Sequence, residues 1–255
     1  MVDIKFIDKI LEYADLNKKD SVLELGGGDG ALTQVIYGKV KIVYVIEKDL
    51  EFYGQLAKKF SKEDIEIIQG DALHVELPEF NKLISNPPYQ ILEQFFIRLV
   101  KENKSNFELG VFTVPSNFKR LITAQPYDKN FGLISAIFYS FFDVEALDKV
   151  PKNAFDPKPR VSSYIIRITP SKHDTLLKKM FFEGFKREDK KVKNLVIDTL
   201  WNYKNAKYTT TRKHAKELSE LVFKNFHSDF LEKTLFALSN EEFRDLCSSI
   251  QKLEL

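Results

Sequence analysis

The run Asn86-Pro87-Pro88-Tyr89 holds the side chains best suited to chemistry in this chain. Two successive prolines remove two backbone donors, fix φ near −65° and push the residue before each out of the helical region. The product is a stiff, extended loop that aims the Asn86 amide and the loop carbonyls outward. Such acceptors suit methylation of the exocyclic amine of adenine, a poor nucleophile whose lone pair is delocalised into the ring. Asn86 and the Pro87 carbonyl would each accept one N–H and draw the amine toward a pyramidal geometry, while Tyr89 stacks on the base. Catalysis would then rest on positioning and fixed dipoles, with no strong base required. The same four residues also spell a proline-stiffened turn with a surface tyrosine.

The loop follows the apolar run Leu83-Ile84 and precedes an apolar helical pattern from Ile91 to Val100. That order places it at the carboxyl end of a strand, where open α/β sheets bind their ligands. Three earlier strand ends carry matching residues. Val22 to Leu25 runs into Gly26-Gly27-Gly28-Asp29-Gly30 and then a helical Ala31 to Ile36. Lys41 to Ile46 ends at Glu47, about 20 residues past the glycines, where a ribose-binding carboxylate belongs. Ile65 to Ile68 leads to Gly70-Asp71-Ala72, where Asp71 could accept from a cofactor adenine or cap a helix. The glycines read G-x-G-x-G rather than the pyrophosphate-binding G-x-G-x-x-G, and no P-loop lysine follows. This favours a ligand without a pyrophosphate, S-adenosylmethionine (SAM) being the expected one, with Gly26, Gly28, Glu47, Asp71, Ala72 and Asn86 around it; a tight turn with no ligand is the competing reading of the glycines.

Further strands are expected at Leu109–Val114, Phe142–Leu147 and Ser162–Ile168, making seven in a mainly parallel sheet. Between the last two, Val150 to Val161 is a proline-rich loop expected to hold Phe155 forward, opposite Tyr89, so that a flipped-out base is sandwiched. Phe155 as a buried loop anchor is the competing reading. At Pro170-Ser171 the pattern turns helical, which sets a domain boundary: residues 1–170 as the catalytic domain and 171–255 as a small all-α domain. Residues 171–216 carry 13 Lys and Arg against 5 Asp and Glu, a net +8 in a chain whose total is +2. Lys186, Arg187, Lys190, Lys191 and Lys193, with Lys204, Lys207, Arg212, Lys213 and Lys216 beyond, suggest a face for a polyanion. Trp201, Tyr203 and Tyr208 interleave with them. A solvated lysine-rich helix would read the same way.

Composition narrows the rest. With 255 residues, 44% hydrophobic and 30% charged, the chain can build a full core. Cys247 is the only cysteine and the four histidines are scattered, so neither disulfides nor a metal centre are expected. The longest uncharged run, Asn130 to Phe142, falls short of the roughly 20 apolar residues a membrane span needs. No signal-peptide pattern opens the chain, so a reducing cytoplasmic setting is expected.

Taken together, these residues resemble the rRNA adenine N6,N6-dimethyltransferase family, of the KsgA type and with the Erm enzymes as cousins. The likeness runs from about residue 4 to the C-terminus. It includes Val22-Leu23-Glu24-Leu25-Gly26-x-Gly28-x-Gly30, Val45-Ile46-Glu47-x-Asp49, Gly70-Asp71-Ala72-Leu73 and Asn86-x-Pro88-Tyr89-Gln90-Ile91. It continues through Ala154-Phe155-x-Pro157-x-Pro159-x-Val161-x-Ser163, Lys190-Lys191-Val192-x-Asn194-Leu195 and Leu238-Ser239-x-Glu241-Glu242-Phe243. The resemblance implies a seven-stranded Rossmann-like SAM-dependent methyltransferase sheet followed by a helical RNA-binding domain. It further implies dimethylation of two adjacent adenosines of small-subunit rRNA during ribosome assembly, by a monomer acting on rRNA or the 30S particle. By that likeness Gly26, Glu47 and Asp71 bind SAM, and Asn86 sits between SAM and the target amine.

The sequence departs from the family pattern at three places. The Gln-x-Phe-Leu segment that usually covers SAM has no equivalent near Ile4-Lys5-Phe6-Ile7. Pro87 replaces a Leu or Ile, as in many DNA adenine methyltransferases, and Val114-Pro115-Ser116 replaces Gln-x-Glu. A DNA adenine methyltransferase and a non-catalytic assembly or transcription factor on the same fold are the alternatives; a dinucleotide dehydrogenase is the most remote.

Overall fold

The computed structural model describes residues 3–60, 64–103, 106–203 and 211–253. Its strands are β1 (Ser21–Leu25), β2 (Ile42–Glu47), β3 (Ile65–Gln69), β4 (Lys82–Ser85), β5 (Leu109–Pro115), β6 (Phe142–Val150) and β7 (Ser163–Pro170). They form one sheet in the order β3-β2-β1-β4-β5-β7-β6. β1, β2, β3, β4 and β5 pair in parallel, whereas β7 runs antiparallel to β5. Strand order reverses between β1 and β4, which makes their carboxyl ends the switch point where a crevice opens.

Around the strands lie α1 (Ile4–Ala14), α2 (Ala31–Ile36), α3 (Leu50–Lys59), α4 (Leu92–Lys101) and α5 (Ser116–Ile122). α1 buries Phe6, Ile7, Ile10 and Ala14 along one stripe, the spacing of an amphipathic helix. Every residue of β4 and β5 is buried, as central strands covered on both faces must be. Lys82 survives there because its ammonium is fully bonded: Asp20 Oδ2 lies 3.0 Å away, and the carbonyls of Ala14 and Asp15 accept from it.

The chain divides into two compact units: residues 1–120 with 143–170, and residues 121–142 with 171–255. The second unit comprises α6 (Leu133–Phe141), α7 (Leu176–Lys186), α8 (Val192–Asn202), α9 (Arg212–Phe223), α10 (Ser228–Glu232) and α11 (Asn240–Gln251). The division includes the break expected at Pro170-Ser171 and adds residues 121–142 to the helical unit. α6 is buried on nearly all sides, with Ile134, Ser135, Ala136, Ile137, Phe138, Ser140 and Phe141 inside and Tyr139 reaching solvent. A helix of that kind needs helices around it. Phe141 meets Phe181 and Phe182 of α7 at centroid distances of 5.9 and 5.1 Å, and Tyr139 accepts from Gln251 of α11. No helix among the described residues is long and apolar enough to cross a membrane.

Candidate active site

The turn after β1 is shaped by glycines with positive φ. Gly26 has φ +70°, and a Cβ there would sit 3.0 Å from Cδ of Pro88. The turn therefore lies directly against the Asn-Pro-Pro-Tyr loop. Gly28 has φ +53°, but a Cβ there would meet nothing within 4 Å, so the turn faces open space. Glu47, at the end of β2, is buried and grips this turn: its Oε2 accepts from the Gly28 N–H (3.0 Å) and its Oε1 from the Asp49 N–H (2.9 Å). Two bonds from backbone donors hold the carboxylate, and each oxygen keeps a further lone pair. Asp49 itself caps α3, accepting from the Glu51 and Phe52 N–H groups.

Asp71 follows β3 by two residues. Its Oδ1 accepts from the Leu73 N–H and its Oδ2 from Lys48, and these bonds hold its carboxyl below the usual range. The Lys48 side chain is three-quarters exposed, so this pair is weak and readily displaced. Ala72 is buried, and its carbonyl accepts from Arg98 Nη1 at 2.8 Å, while the Val75 carbonyl accepts from Nη2 at 2.6 Å. Arg98 of α4 thus clamps the Asp71 turn. Sequence reasoning missed it; Arg98 also pairs with Glu102 one helical turn on, at i, i+4.

Ser85, to which the sequence assigned no role of its own, stitches β4 to β1: its Oγ accepts from the Leu25 N–H (3.2 Å) and donates to the Leu25 carbonyl (2.8 Å). Asn86 follows immediately, with its Oδ1 accepting from the Thr113 hydroxyl. Pro87 is buried, and the Pro88 carbonyl closes the turn by accepting from the Ile91 N–H (3.2 Å). The Tyr89 hydroxyl lies 2.6 Å from Ser163 Oγ, and burial pushes its phenol up, so it is neutral. The structure therefore brings Gly26, Gly28, Glu47, Asn86, Pro87 and Tyr89 to adjoining strand ends, with Asp71 and Ala72 at the next one over.

Phe155 is not among them. It is buried, in the same apolar core as Phe6, Ile7 and Ile10 of α1, so its ring does not stand forward over the site. The expected sandwich of Tyr89 and Phe155 is withdrawn, and the buried-anchor reading holds.

The basic stretch of the helical unit also differs from expectation. Lys190 is paired with Asp198, and Lys191 and Lys193 are both paired with Glu232, whose carboxyl they hold down at about 2. Three of the five expected RNA-binding residues thus spend much of their charge inside the unit. Lys186 and Arg187 remain exposed. Arg187, Arg212 and Lys216 line a concavity of about 530 Å³ with Lys190, Asn194 and Asp198. The Arg212 guanidinium lies 5.3 Å from the half-exposed Trp201 ring. Lys204, Lys207 and Tyr208 lie outside the described residues.

A seven-stranded mixed sheet with an acid and a glycine turn at its switch point is the framework of the SAM-dependent methyltransferases. Solved structures similar to this chain share its fold. A dimethyladenosine transferase from Plasmodium falciparum aligns over 100% of this chain and 98% of its own, with TM-score 0.65 and 22% identity. The 23S rRNA methyltransferase ErmE aligns over 98% of each chain, with TM-score 0.58 and 20% identity. At such identities the likeness speaks for the fold.

The family follows from sequence. The model of the ribosomal RNA adenine dimethylase family matches residues 1–233. A probable ribosomal RNA small subunit methyltransferase A from Pyrococcus abyssi is 34% identical over 240 residues, covering 94% of this chain and 85% of its own. The chain belongs to the ribosomal RNA adenine dimethylase family, and is an adenine methyltransferase of RNA. The DNA-methylating, non-catalytic and dinucleotide readings find no support in these matches.

Proposed function

We propose that this enzyme transfers methyl groups from SAM to N6 of adenosines in small-subunit rRNA, twice per base, during ribosome assembly. The close approach of Gly26 to Pro88 carries the reading, because it sets the cofactor turn and the amine-holding loop side by side. The residues fit the cofactor. Open space over Gly28 leaves room for a nucleoside, Glu47 has lone pairs for two ribose hydroxyls, and Asp71 can exchange Lys48 for an adenine amine. SAM, when bound, supplies an electrophilic methyl group on its sulfonium.

The protein's part is then to hold the acceptor. Asn86 Oδ1 has one lone pair taken by Thr113 and one left for an N–H of the target amine. The rigid loop backbone keeps that lone pair in place, and Tyr89, its hydroxyl anchored, offers a fixed face to the base. On this reading the exposed Arg187, Arg212 and Lys216 meet phosphates, interactions that position RNA without reading its sequence. The enzyme acts as a cytoplasmic monomer on the assembling 30S particle, without a metal ion.

Transfer of labelled methyl from SAM to undermethylated small subunits, free rRNA and duplex DNA tests the reading. Asn86→Ala should abolish turnover while SAM binding is largely kept. Absence of transfer to any RNA would refute it.

A further inference from the structure

We propose that Arg98 is a positioning residue for the cofactor: by clamping the turn after β3 it aims the Asp71 carboxylate and so sets the preference for an adenine base. This role rests on the reading above, in which Asp71 accepts from the cofactor's adenine amine.

The turn is too short to hold itself. The Asp71 carbonyl accepts from the His74 N–H (2.8 Å) and the Val75 N–H (2.9 Å), which makes a single helical turn. One isolated turn is unfavourable, and its last carbonyls find no donor within it. The Arg98 guanidinium supplies those donors, from Nη1 to the Ala72 carbonyl (2.8 Å) and from Nη2 to the Val75 carbonyl (2.6 Å). Glu102 accepts from Nε and so fixes the plane of the fork. The Arg98 side chain is only 17% exposed, so water competes little for these bonds. Val75 also fills the place a Cβ on Gly70 would take, so the far end of the turn bears on the residue just before Asp71.

The restraint reaches the carboxylate through the backbone. Asp71 Oδ1 accepts from the Leu73 N–H inside the clamped turn (2.9 Å), while Oδ2 faces the exposed Lys48. Arg98 bonds the carbonyls of the turn rather than the carboxylate, so it acts on direction. An adenine offers that carboxylate an amine, which donates; hypoxanthine offers a keto oxygen, which opposes it. An acceptor held in one direction tells the two apart, whereas a loose one swings into water. The clamp is also tied to the substrate side. α4 begins three residues after Tyr89 and is anchored by buried Phe95, Phe96 and Leu99, so one helix follows the Asn-Pro-Pro-Tyr loop and holds the Asp71 turn.

Arg98→Met keeps an unbranched stem and removes every donor. Calorimetric titration compares S-adenosylhomocysteine with S-inosylhomocysteine, the same molecule with a keto group in place of the amine. The wild-type protein should favour the adenosyl form on the order of 100-fold. In Arg98→Met the adenosyl form should bind on the order of 10-fold more weakly and the inosyl form about as before, so the ratio narrows to about 10. Arg98→Lys keeps the charge and stem without the two-pronged fork, and should narrow the ratio by a smaller factor. A ratio unchanged in both variants, as a merely structural residue would leave it, overturns the role. So does a wild-type protein that binds both forms alike. Amide hydrogen exchange in the ligand-free protein reads the clamp without any cofactor. The His74 and Val75 N–H groups should exchange on the order of 10-fold faster in Arg98→Met, while the amides of β5 stay protected. Unchanged exchange at the turn would overturn the clamp. If the wild-type protein binds neither ligand, the proposed function fails, and the exchange rates still decide the clamp.

Discussion

Ser85 Oγ bonds both backbone groups of Leu25, accepting from its N–H and donating to its carbonyl. The parallel ladder of β1 and β4 registers Val22 with Lys82 and Leu23 with Leu83, and this side chain continues the seam beyond it. The glycine turn begins one residue after Leu25, and Asn86 is one residue after Ser85. A single hydroxyl thus fixes the spacing of these two loops. Ser85→Ala leaves two buried backbone groups without this partner and should destabilise the fold by roughly 1–3 kcal/mol. kcat should fall further than stability alone explains, since small displacements of reacting groups cost large factors in rate. Thermal melts and single-turnover rates on the same variant check both parts.

Gly26 and Gly28 should separate the two functions of the turn. Gly26→Ala forces a side chain onto Pro88 and into a positive φ, so both SAM affinity and turnover at saturating SAM should collapse. Gly28→Ala meets no neighbour and should cost about 1 kcal/mol of backbone strain. Its methyl group enters the ligand space, so SAM affinity should fall while turnover at saturating SAM changes less. Calorimetric titration with SAM, set beside saturated rates, distinguishes them.

Glu24 makes stability depend on pH. Burial pushes its carboxyl up to about 8, and its Oε2 accepts from the Thr33 hydroxyl at 2.6 Å. Between the ordinary value of 4.5 and about 8 the folded chain therefore holds more protons than the unfolded one at this site. Stability from this group is full at low pH and declines as pH rises through that window. Glu24→Gln should flatten the decline and make the variant the more stable protein at alkaline pH. Melting curves of the ligand-free protein across the window check it, and parallel profiles would contradict it.

The helical unit makes an electrostatic prediction. Replacing Arg187, Arg212 and Lys216 together with Ala should weaken RNA binding. It should also flatten the salt dependence of log K by up to about 2, at roughly 0.7 for each phosphate that is no longer neutralised. Replacing Lys191 and Lys193 should do less, because Glu232 already offsets one of their two charges. Filter-binding titrations over a range of salt concentrations separate the two variants.

The sheet and the turns at its strand ends were legible in the sequence because their signals are local. Glycine clusters, short apolar runs and paired prolines mark the ends of β1, β2, β3 and β4 without help from distant residues. Where a residue's role depends on what folds against it, the sequence was silent. Phe155 turns inward to join an apolar core that also draws on Phe6, Ile7 and Ile10, about 150 residues earlier in the chain. Lys191 and Lys193 looked free because Glu232 lies some 40 residues away. Thr113 and Ser163 read as ordinary buried strand residues, and only the register of β5 with β7 brings them to Tyr89 and Asn86.

That α6 belongs with the later helices has a practical edge. Ser171 invites the protein engineer's scissors, yet a fragment cut there would abandon its own central strut. Phe181 and Phe182 would be parted from Phe141 and face water, and the orphaned bundle should clump rather than bind RNA. The two halves are laced together by a chain that crosses three times. They cannot be traded between enzymes as cassettes unless α6 travels too.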